Sequence, residues 1–599
     1  MSIKKLKYDY PFEIDNDFQP EIYCQKKETQ IWFNRALFWF YSFHHEECIR
    51  CCEQGLLIEE KCPMLYFLKS LAIGINYNNA PPIITENQAK LQFQNWQKAD
   101  LYKNEQFKLE CELINALKYR VGDGKTLEHQ ENDLQFSQEM LKIYQKYGDK
   151  LDINTFNFIS ELTAESLMLL RPWNLWAQQD IKEQNIKQGD PYENTLLISE
   201  IIDKGLKKYD KHPGLRHLWI HLNELSPYPE KALCSKFSKK LRDIAPESGH
   251  LSHMPSHIEI QCGLYQQAIQ SNMIGFQIDN KYFEYLEKEN LPKITFFLIY
   301  RCHNIHFLIY AALFAGQKAL AIKYSDILPK IITIQYLKDT KVYQPMGADW
   351  LEAFIPQKIH VLIRFGEWEQ LISDEPFGLK VLPMQYILEN QDLYAGTLAL
   401  VYYGKGIAYS VLAGKDENNK KNYLKKAHEY LDKLQIQKKK VPATRRMLNN
   451  TIEEILQIAE KMLIGELNYR EQNYKIAFEN LKKAVELHDN LPYNEPWGWM
   501  IPARHAIAAL LLEQGIQVKN DDFVKDAMRY YKEDLGKGMK RCVQHRANVW
   551  SLAGLNVCYK YFNMEKEMND LKPELDKQLK GADIQINTSC FCCVKKLTL

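Results

Sequence analysis

Apolar residues recur at helical spacing through most of the chain, which predicts a succession of paired helices. Between Thr29 and Phe40 they lie three and four positions apart, the period of a helix with one buried face. A second apolar stripe runs from His45 to Leu57, and Pro63 then marks a further helix start. No stretch shows the consecutive alternation of sheet strands. The pattern therefore indicates an all-α fold.

Glycine and proline separate the helices of the central pairs. The pattern predicts helices over 214–225 and 229–244, over 255–262 and 265–278, and over 350–365. The segment GLYQQA at 263–268 is a Gly-x-Tyr-x-x-Ala turn, which is typical of tetratricopeptide-like (TPR-like) repeats because the aromatic ring and the alanine let antiparallel helices pack closely. The basic run at 436–446 is interpreted as a solvated loop.

These pairs predict an all-α fold of the α–α superhelix class. Residues 29–580 are expected to form one TPR-like solenoid of antiparallel hairpins, because the chain exceeds the size of a single compact core. Residues 1–28 are interpreted as a polar N-terminal tail, and residues 581–599 as a C-terminal tail. Three cysteines of that second tail, Cys590, Cys592 and Cys593, could bind a soft metal, be acylated or form an exposed reduced end.

Composition narrows the compartment and the class of partner. The 77 Lys and Arg nearly balance the 76 Asp and Glu, so broad nucleic-acid binding is not expected. The first residues include no apolar stretch of the secretory kind. The apolar segment 294–316 has Arg301 and His303 at its centre, which favours a buried helix over a transmembrane one. We therefore expect a cytoplasmic protein whose fourteen cysteines are reduced thiols.

Histidines are concentrated in the middle of the chain. Eight of the sixteen fall within residues 212–306. His217 and His221 are four positions apart, and Glu224 lies three positions further on the same helix face. His253 and His257 are also four apart, and His303 and His306 are three apart. If the first helices of successive hairpins lie side by side, the three pairs converge on one concave surface.

Neutral imidazoles with one carboxylate suit a transition metal such as zinc or iron. The candidate ligands are His217, His221, Glu224, His250, His253, His257, His303 and His306. The alternative interpretation is that these imidazoles hydrogen-bond one another, the tryptophans and the helix ends.

Four segments in the same region carry a family resemblance: PWNLW at 172–176, HLWIHLNE at 217–224, GHLSHMPSHI at 249–258 and HNIHF at 303–307. They resemble a widespread, mostly bacterial family of TPR proteins, and the resemblance spans nearly the whole chain. It implies a TPR superhelix and implies no reaction.

The leading functional hypothesis is an interaction scaffold that binds a peptide or partner protein in its concave groove. Groove candidates are Trp173, Trp176, Trp219, Arg301 and Asn304, although solenoid cores also use tryptophan routinely. The alternative is a metal-binding protein or metal-dependent enzyme that uses the histidine cluster. No catalytic residue is assigned, and the balance favours a protein that is not an enzyme.

Overall fold

The computed structural model describes residues 6, 9–15, 17–79, 85–125, 130–292, 296–343, 347–373, 384–496, 498–537 and 544–593, with the side chains of 79, 130, 149, 339–343, 347 and 348 excepted. Its α-helices, numbered in chain order, are α1 Lys27–Tyr41, α2 His45–Ile58, α3 Pro63–Ile73, α4 Glu86–Tyr102, α5 Lys108–Val121, α6 Gln130–Tyr147, α7 Ile153–Met168, α8 Thr195–Lys208, α9 Pro213–Glu224, α10 Leu241–Ile244, α11 Gly249–His253, α12 Pro255–Gln261, α13 Tyr265–Lys288, α14 Phe297–Ala315, α15 Lys318–Ser325, α16 Leu328–Ile331, α17 Ile334–Tyr343, α18 Gly347–Leu351, α19 Gln357–Phe365, α20 Trp368–Ile372, α21 Met384–Glu389, α22 Ala395–Lys415, α23 Lys420–Lys438, α24 Ile452–Arg470, α25 Tyr474–Asp489, α26 Ala503–Val518, α27 Asp521–Asp534, α28 Val549–Tyr561 and α29 Glu565–Lys580.

Short 3-10 turns lie at Tyr77–Asn79, Gly148–Lys150, Lys182–Gln184, Pro229–Ala232, Cys234–Lys236 and Glu352–Phe354. Strands β1 (Arg446–Met447) and β2 (Asn450–Thr451) form a two-residue antiparallel hairpin.

Helices that follow one another pack together, as α1 does with α2, α22 with α23 and α24 with α25. Small residues allow the close approach that this packing needs. A Cβ atom at Gly55 of α2 would lie 2.6 Å from Leu65 Cδ1 of α3. The predicted all-α fold class is confirmed, and consecutive helices pack together in pairs, as an α–α superhelix of TPR-like pairs requires.

The chain divides into two compact units. The first comprises Met1–Ile258 and Ile274–Leu298, and the second comprises Glu259–Met273 and Ile299–Leu599. A single continuous solenoid over residues 29–580 therefore stays a prediction. In the first unit, Phe12 and Phe18 are buried, so the described part of the N-terminal segment packs into the core of that unit.

Two helices predicted from the pattern are wrong in detail. Residues 229–244 form two 3-10 turns and the short α10 in place of one helix. In the 350–365 segment, Pro356 has no backbone N–H to continue a helix, and α19 begins after it. The apolar α14 is long enough to cross a membrane by length and composition, but 94% of its most apolar window is buried inside the protein.

The basic run and the C-terminal segment are more ordered than their composition suggested. Arg445 is not solvated: it is buried and pairs with Asp349 at 2.9 Å and Glu352 at 2.7 Å. In the same unit, Ser589 Oγ donates to the His505 carbonyl at 2.7 Å. Cys590 and Cys592 are joined by a disulfide, so the expectation of reduced thiols fails at this pair, while the other described cysteines are not in disulfides.

Candidate functional site

Helix α9 presents three site residues on one buried face of the first unit. Its first turn is fixed by Pro213 and by the His212 ring, whose Nδ1 accepts from the Leu215 backbone N–H at 3.1 Å. The helical period then places His217, His221 and Glu224 inward, and all three side chains are fully buried. The face predicted from the sequence is therefore the face that the structure buries.

Helices α11 and α12 supply three more histidines. Ser248 caps α11 by accepting from the Leu251 N–H at 3.1 Å. Gly249 lets this helix lie against α13, because a Cβ atom there would come within 2.8 Å of the Gly275 carbonyl oxygen. As predicted, Pro255 opens the next helix, which places His257 in its first turn. His250, His253 and His257 are all buried.

A first set of contacts joins α9 to α11. The His217 ring donates from Nδ1 to the Tyr41 carbonyl oxygen at 2.8 Å, so the lone pair of a neutral His217 lies on Nε2. That Nε2 is 3.1 Å from Nε2 of His250. Without an ion, His250 must donate across this contact, whereas with an ion both Nε2 atoms can act as ligands.

Glu224 joins α9 to α12. One carboxylate oxygen accepts from Nδ1 of His221 at 2.9 Å, and the other accepts from Nδ1 of His257 at 2.6 Å. Both imidazoles are thereby fixed in the tautomer whose lone pair lies on Nε2. A carboxylate bound to the distal nitrogen is the usual support for a metal-ligating histidine. The sequence spacing marked Glu224 as a ligand, but its contacts in this unit are those of an orienting group.

His257 continues the network to the last member of the cluster. Its Nε2 is 2.8 Å from Nε2 of His253, and Nδ1 of His253 is 3.4 Å from the Ser256 hydroxyl. Since Nδ1 of His257 carries a proton for Glu224, its Nε2 accepts from His253 in the ion-free form. The alternative interpretation of mutually hydrogen-bonded imidazoles thus also describes a consistent set of protonation states.

Three of the imidazoles stand close enough to share one ion. His217, His221 and His250 each offer a nitrogen, and these three nitrogens lie within 4.8 Å of one another. Tetrahedral zinc with bonds of about 2.0–2.1 Å needs ligand nitrogens about 3.4 Å apart. The 3.1 Å pair is already near that spacing. For a tetrahedral site the third nitrogen, which lies within 4.8 Å of the other two, would have to reach the same spacing.

Aromatic rings pack around the cluster, and burial keeps His217 neutral. Phe43, in the turn between α1 and α2, lies 4.3 Å from the His217 ring by centroids, and Tyr77 lies 4.9 Å from His221. Burial holds the pKa of His217 well below its usual range, and the neighbouring His221 lowers it further. Neutral imidazole is the form that binds a metal, so His217 needs no deprotonation at neutral pH.

The third predicted pair, His303 and His306, belongs to the second unit. There Nε2 of His306 lies 2.8 Å from the Met500 sulfur, and burial lowers the pKa of His306 to about 3. The prediction that all three pairs converge on one site stays a prediction.

The predicted groove tryptophans are half-buried in the first unit and hold neighbouring segments in place. Trp176 donates from Nε1 to the Leu222 carbonyl of α9 at 2.7 Å, and Trp219 donates to Lys231 O at 3.3 Å. Trp173 donates through its backbone N–H to the Tyr77 hydroxyl at 2.9 Å. The other two groove candidates, Arg301 and Asn304, lie on α14, half-buried and buried respectively.

Sequence reasoning missed the groups that orient the histidines. The Tyr41 carbonyl oxygen and the Phe43 ring come from the end of α1 and the turn after it, far away in sequence. The only signal was the His-rich turn that follows Phe43, and it gave no indication of which side chains meet there.

No protein-family model and no curated protein matches the sequence. Several solved structures are similar to it, among them human IFIT1 and yeast Tom70. The human IFIT1 dimer with m7Gppp-AAAA is 12% identical, with a TM-score of 0.30, and the match covers 94% of this chain and 96% of the IFIT1 chain. Yeast Tom70 is 12% identical, with a TM-score of 0.27, and the match covers 92% of this chain and 99% of the Tom70 chain. Likeness at this level carries no argument about ligands. The finer resemblance to the mostly bacterial family stays a prediction.

Proposed function

We propose that this protein is a helical-repeat protein that binds a divalent transition metal, zinc or iron, through His217, His221 and His250. The observation that supports this most is the buried trio of imidazole nitrogens within 4.8 Å of one another. Imidazole is a ligand type that both ions accept. Three histidines leave a fourth coordination position for water or another ligand, as in open zinc sites.

The protonation states around the trio support the same proposal. Nδ1 of His217 is held by a backbone carbonyl, and Nδ1 of His221 is held by the Glu224 carboxylate. Each contact places the remaining lone pair on Nε2, so two of the three ligands are oriented before any ion arrives. A dication would also balance the buried charge of Glu224, which is otherwise costly in an apolar interior.

The peptide-binding scaffold, the leading hypothesis from the sequence, remains a second prediction, and no specific contact in the described residues favours it. The metal proposal does not extend to a reaction. If the protein is a scaffold alone, the histidine network keeps its ion-free hydrogen bonds and the two hypotheses separate on metal content.

Cobalt substitution tests the proposal without an activity assay. Untagged protein stripped with a chelator and loaded with Co²⁺ should show the strong visible absorption of a tetrahedral site, because three imidazoles and one further ligand impose that geometry. His250→Gln should abolish the band while the far-UV circular dichroism spectrum stays helical. His428→Gln, on the exposed face of α23, is the matched control and should keep the band. Absence of the band in folded wild-type protein would contradict the proposal.

A further inference from the structure

The second unit contains a cavity that the histidine cluster does not explain. It is lined by residues of α19, α20, α22, α24, α25 and α26 together with Trp499, Ile501 and the C-terminal cysteine segment. The space open to the centres of water-sized molecules is ≈ 40 Å³. That is room for several small-molecule atoms or a few waters.

Three residues that line this cavity each have a hydrogen-bond donor with no partner among the described residues. The donors are Nε of Arg364, Nε1 of Trp368 and Nε1 of Trp499. These side chains are only 3%, 1% and 1% exposed, so solvent outside the cavity does not satisfy them. Buried donors are normally paired, and three unpaired donors on one cavity wall point to an acceptor-rich ligand.

Arg364 is held rigidly by its other nitrogens. NH1 donates to the Ser589 carbonyl at 2.9 Å, NH2 donates to Nδ1 of His505 at 2.8 Å, and the guanidinium lies 4.4 Å from the Trp550 ring centroid. His505 in turn donates from Nε2 to Asp534 at 2.8 Å. Among the described residues, no carboxylate forms an ion pair with Arg364 directly. An anion in the cavity would supply that missing partner.

The remainder of the wall limits the ligand to one negative charge and an apolar body. Ile407, Met462 and Leu481 contribute apolar side chains. Glu466 also lines the cavity, but its carboxylate is occupied by Arg470, whose Nε donates to it at 2.8 Å. Because Glu466 already contributes one carboxylate to the wall, a multiply charged anion such as phosphate is disfavoured.

We propose that this cavity binds a small monocarboxylate. Its carboxylate oxygens accept hydrogen bonds from Arg364 and from the indole N–H groups of Trp368 and Trp499, and its hydrocarbon part lies against the apolar wall. The disulfide-bonded segment with Cys590 and Cys592 closes one side of the site. The site uses none of the proposed metal ligands, so it stands or falls independently of the metal.

Calorimetric titration of the full-length protein with butyrate tests this proposal, with butyramide as a neutral analogue of the same shape and inorganic phosphate as a multiply charged anion. Butyrate should bind saturably at millimolar concentration, and the other two should not. Trp499→Phe and Trp368→Phe each delete one donor and keep an aromatic ring, so each should weaken butyrate binding about fivefold to tenfold.

The matched control is Trp96→Phe in the first unit, whose indole N–H is already satisfied by the Ile114 carbonyl at 2.9 Å. It should leave butyrate affinity unchanged, although it removes as much buried indole as the two cavity variants do. Equal binding of butyramide, unchanged affinity in both cavity variants, or no saturable butyrate binding would each overturn the proposal.

Discussion

His360 should make the second unit sensitive to mild acid. The side chain is fully buried on α19, its ring lies 4.9 Å from Trp499 in an edge-on contact, and neither ring nitrogen has a hydrogen-bond partner in the part of the chain that the structure describes. Burial lowers its pKa from 6.5 to about 3. His306 of the same unit, whose pKa is also lowered to about 3, adds to the effect, since protonation of one ring disfavours protonation of the other.

The sign and size of the effect follow from these pKa values. Because the folded-state pKa lies below the unfolded one, the stability contributed by neutral His360 is complete above pH 6.5. It is lost as the pH falls towards 3. One pKa unit corresponds to ~1.36 kcal/mol, so about 2 kcal/mol of unfolding free energy should be lost at pH 5 through this residue.

The substitution His360→Leu removes the titration and keeps an apolar side chain in place. Between pH 8 and pH 5, the variant should gain about 2 kcal/mol of unfolding free energy relative to wild type. A chain of this size need not unfold in one step, so local hydrogen exchange of the α19 amides, corrected for intrinsic rates, is the appropriate measurement. If wild type and variant lose α19 protection equally between the two pH values, the reasoning about this buried ring is refuted.

Two further substitutions test one close contact in the first unit and one ion pair in the second unit. Gly249→Ala should destabilise the first unit by about 1–3 kcal/mol, because the new methyl group meets the Gly275 carbonyl of α13. Thermal unfolding should show this loss of stability. The control is Gly148→Ala, which should be nearly neutral because nothing lies within 4 Å of the new methyl group. Arg445→Met should cost about 3–5 kcal/mol in urea unfolding, because it leaves the buried Glu352 carboxylate without its guanidinium partner. A neutral result would mean that this ion pair is not formed.

Local signals in the sequence predicted most of the helices. Pro255 opens α12, and Gly263 adopts a φ of +73° in the predicted turn, because proline and glycine act through the backbone of their own residue. The prediction failed at 229–244, where the start at Pro229 is real but the chain continues as 3-10 turns.

The candidate site was predictable in its membership and not in its connections. Spacing of four residues placed His217 and His221 on one face of α9, which the structure confirms. That Glu224 bridges His221 and His257 depends on side-chain rotamers and on the distance between two helices, and neither is encoded in local spacing. The prediction of a solvated Arg445 was wrong for the same reason, because its partners Asp349 and Glu352 are distant in sequence.

Metal content of the purified chain tests the central claim most directly. Protein produced without a histidine tag and dialysed against metal-free buffer should retain close to one equivalent of zinc or iron per chain by elemental mass spectrometry. Replacement of His217 by Gln should reduce that content to background in a protein that remains folded by circular dichroism. Wild-type protein that stays metal-free after incubation with either ion would contradict the account and leave His217, His221 and His250 as a hydrogen-bonded network.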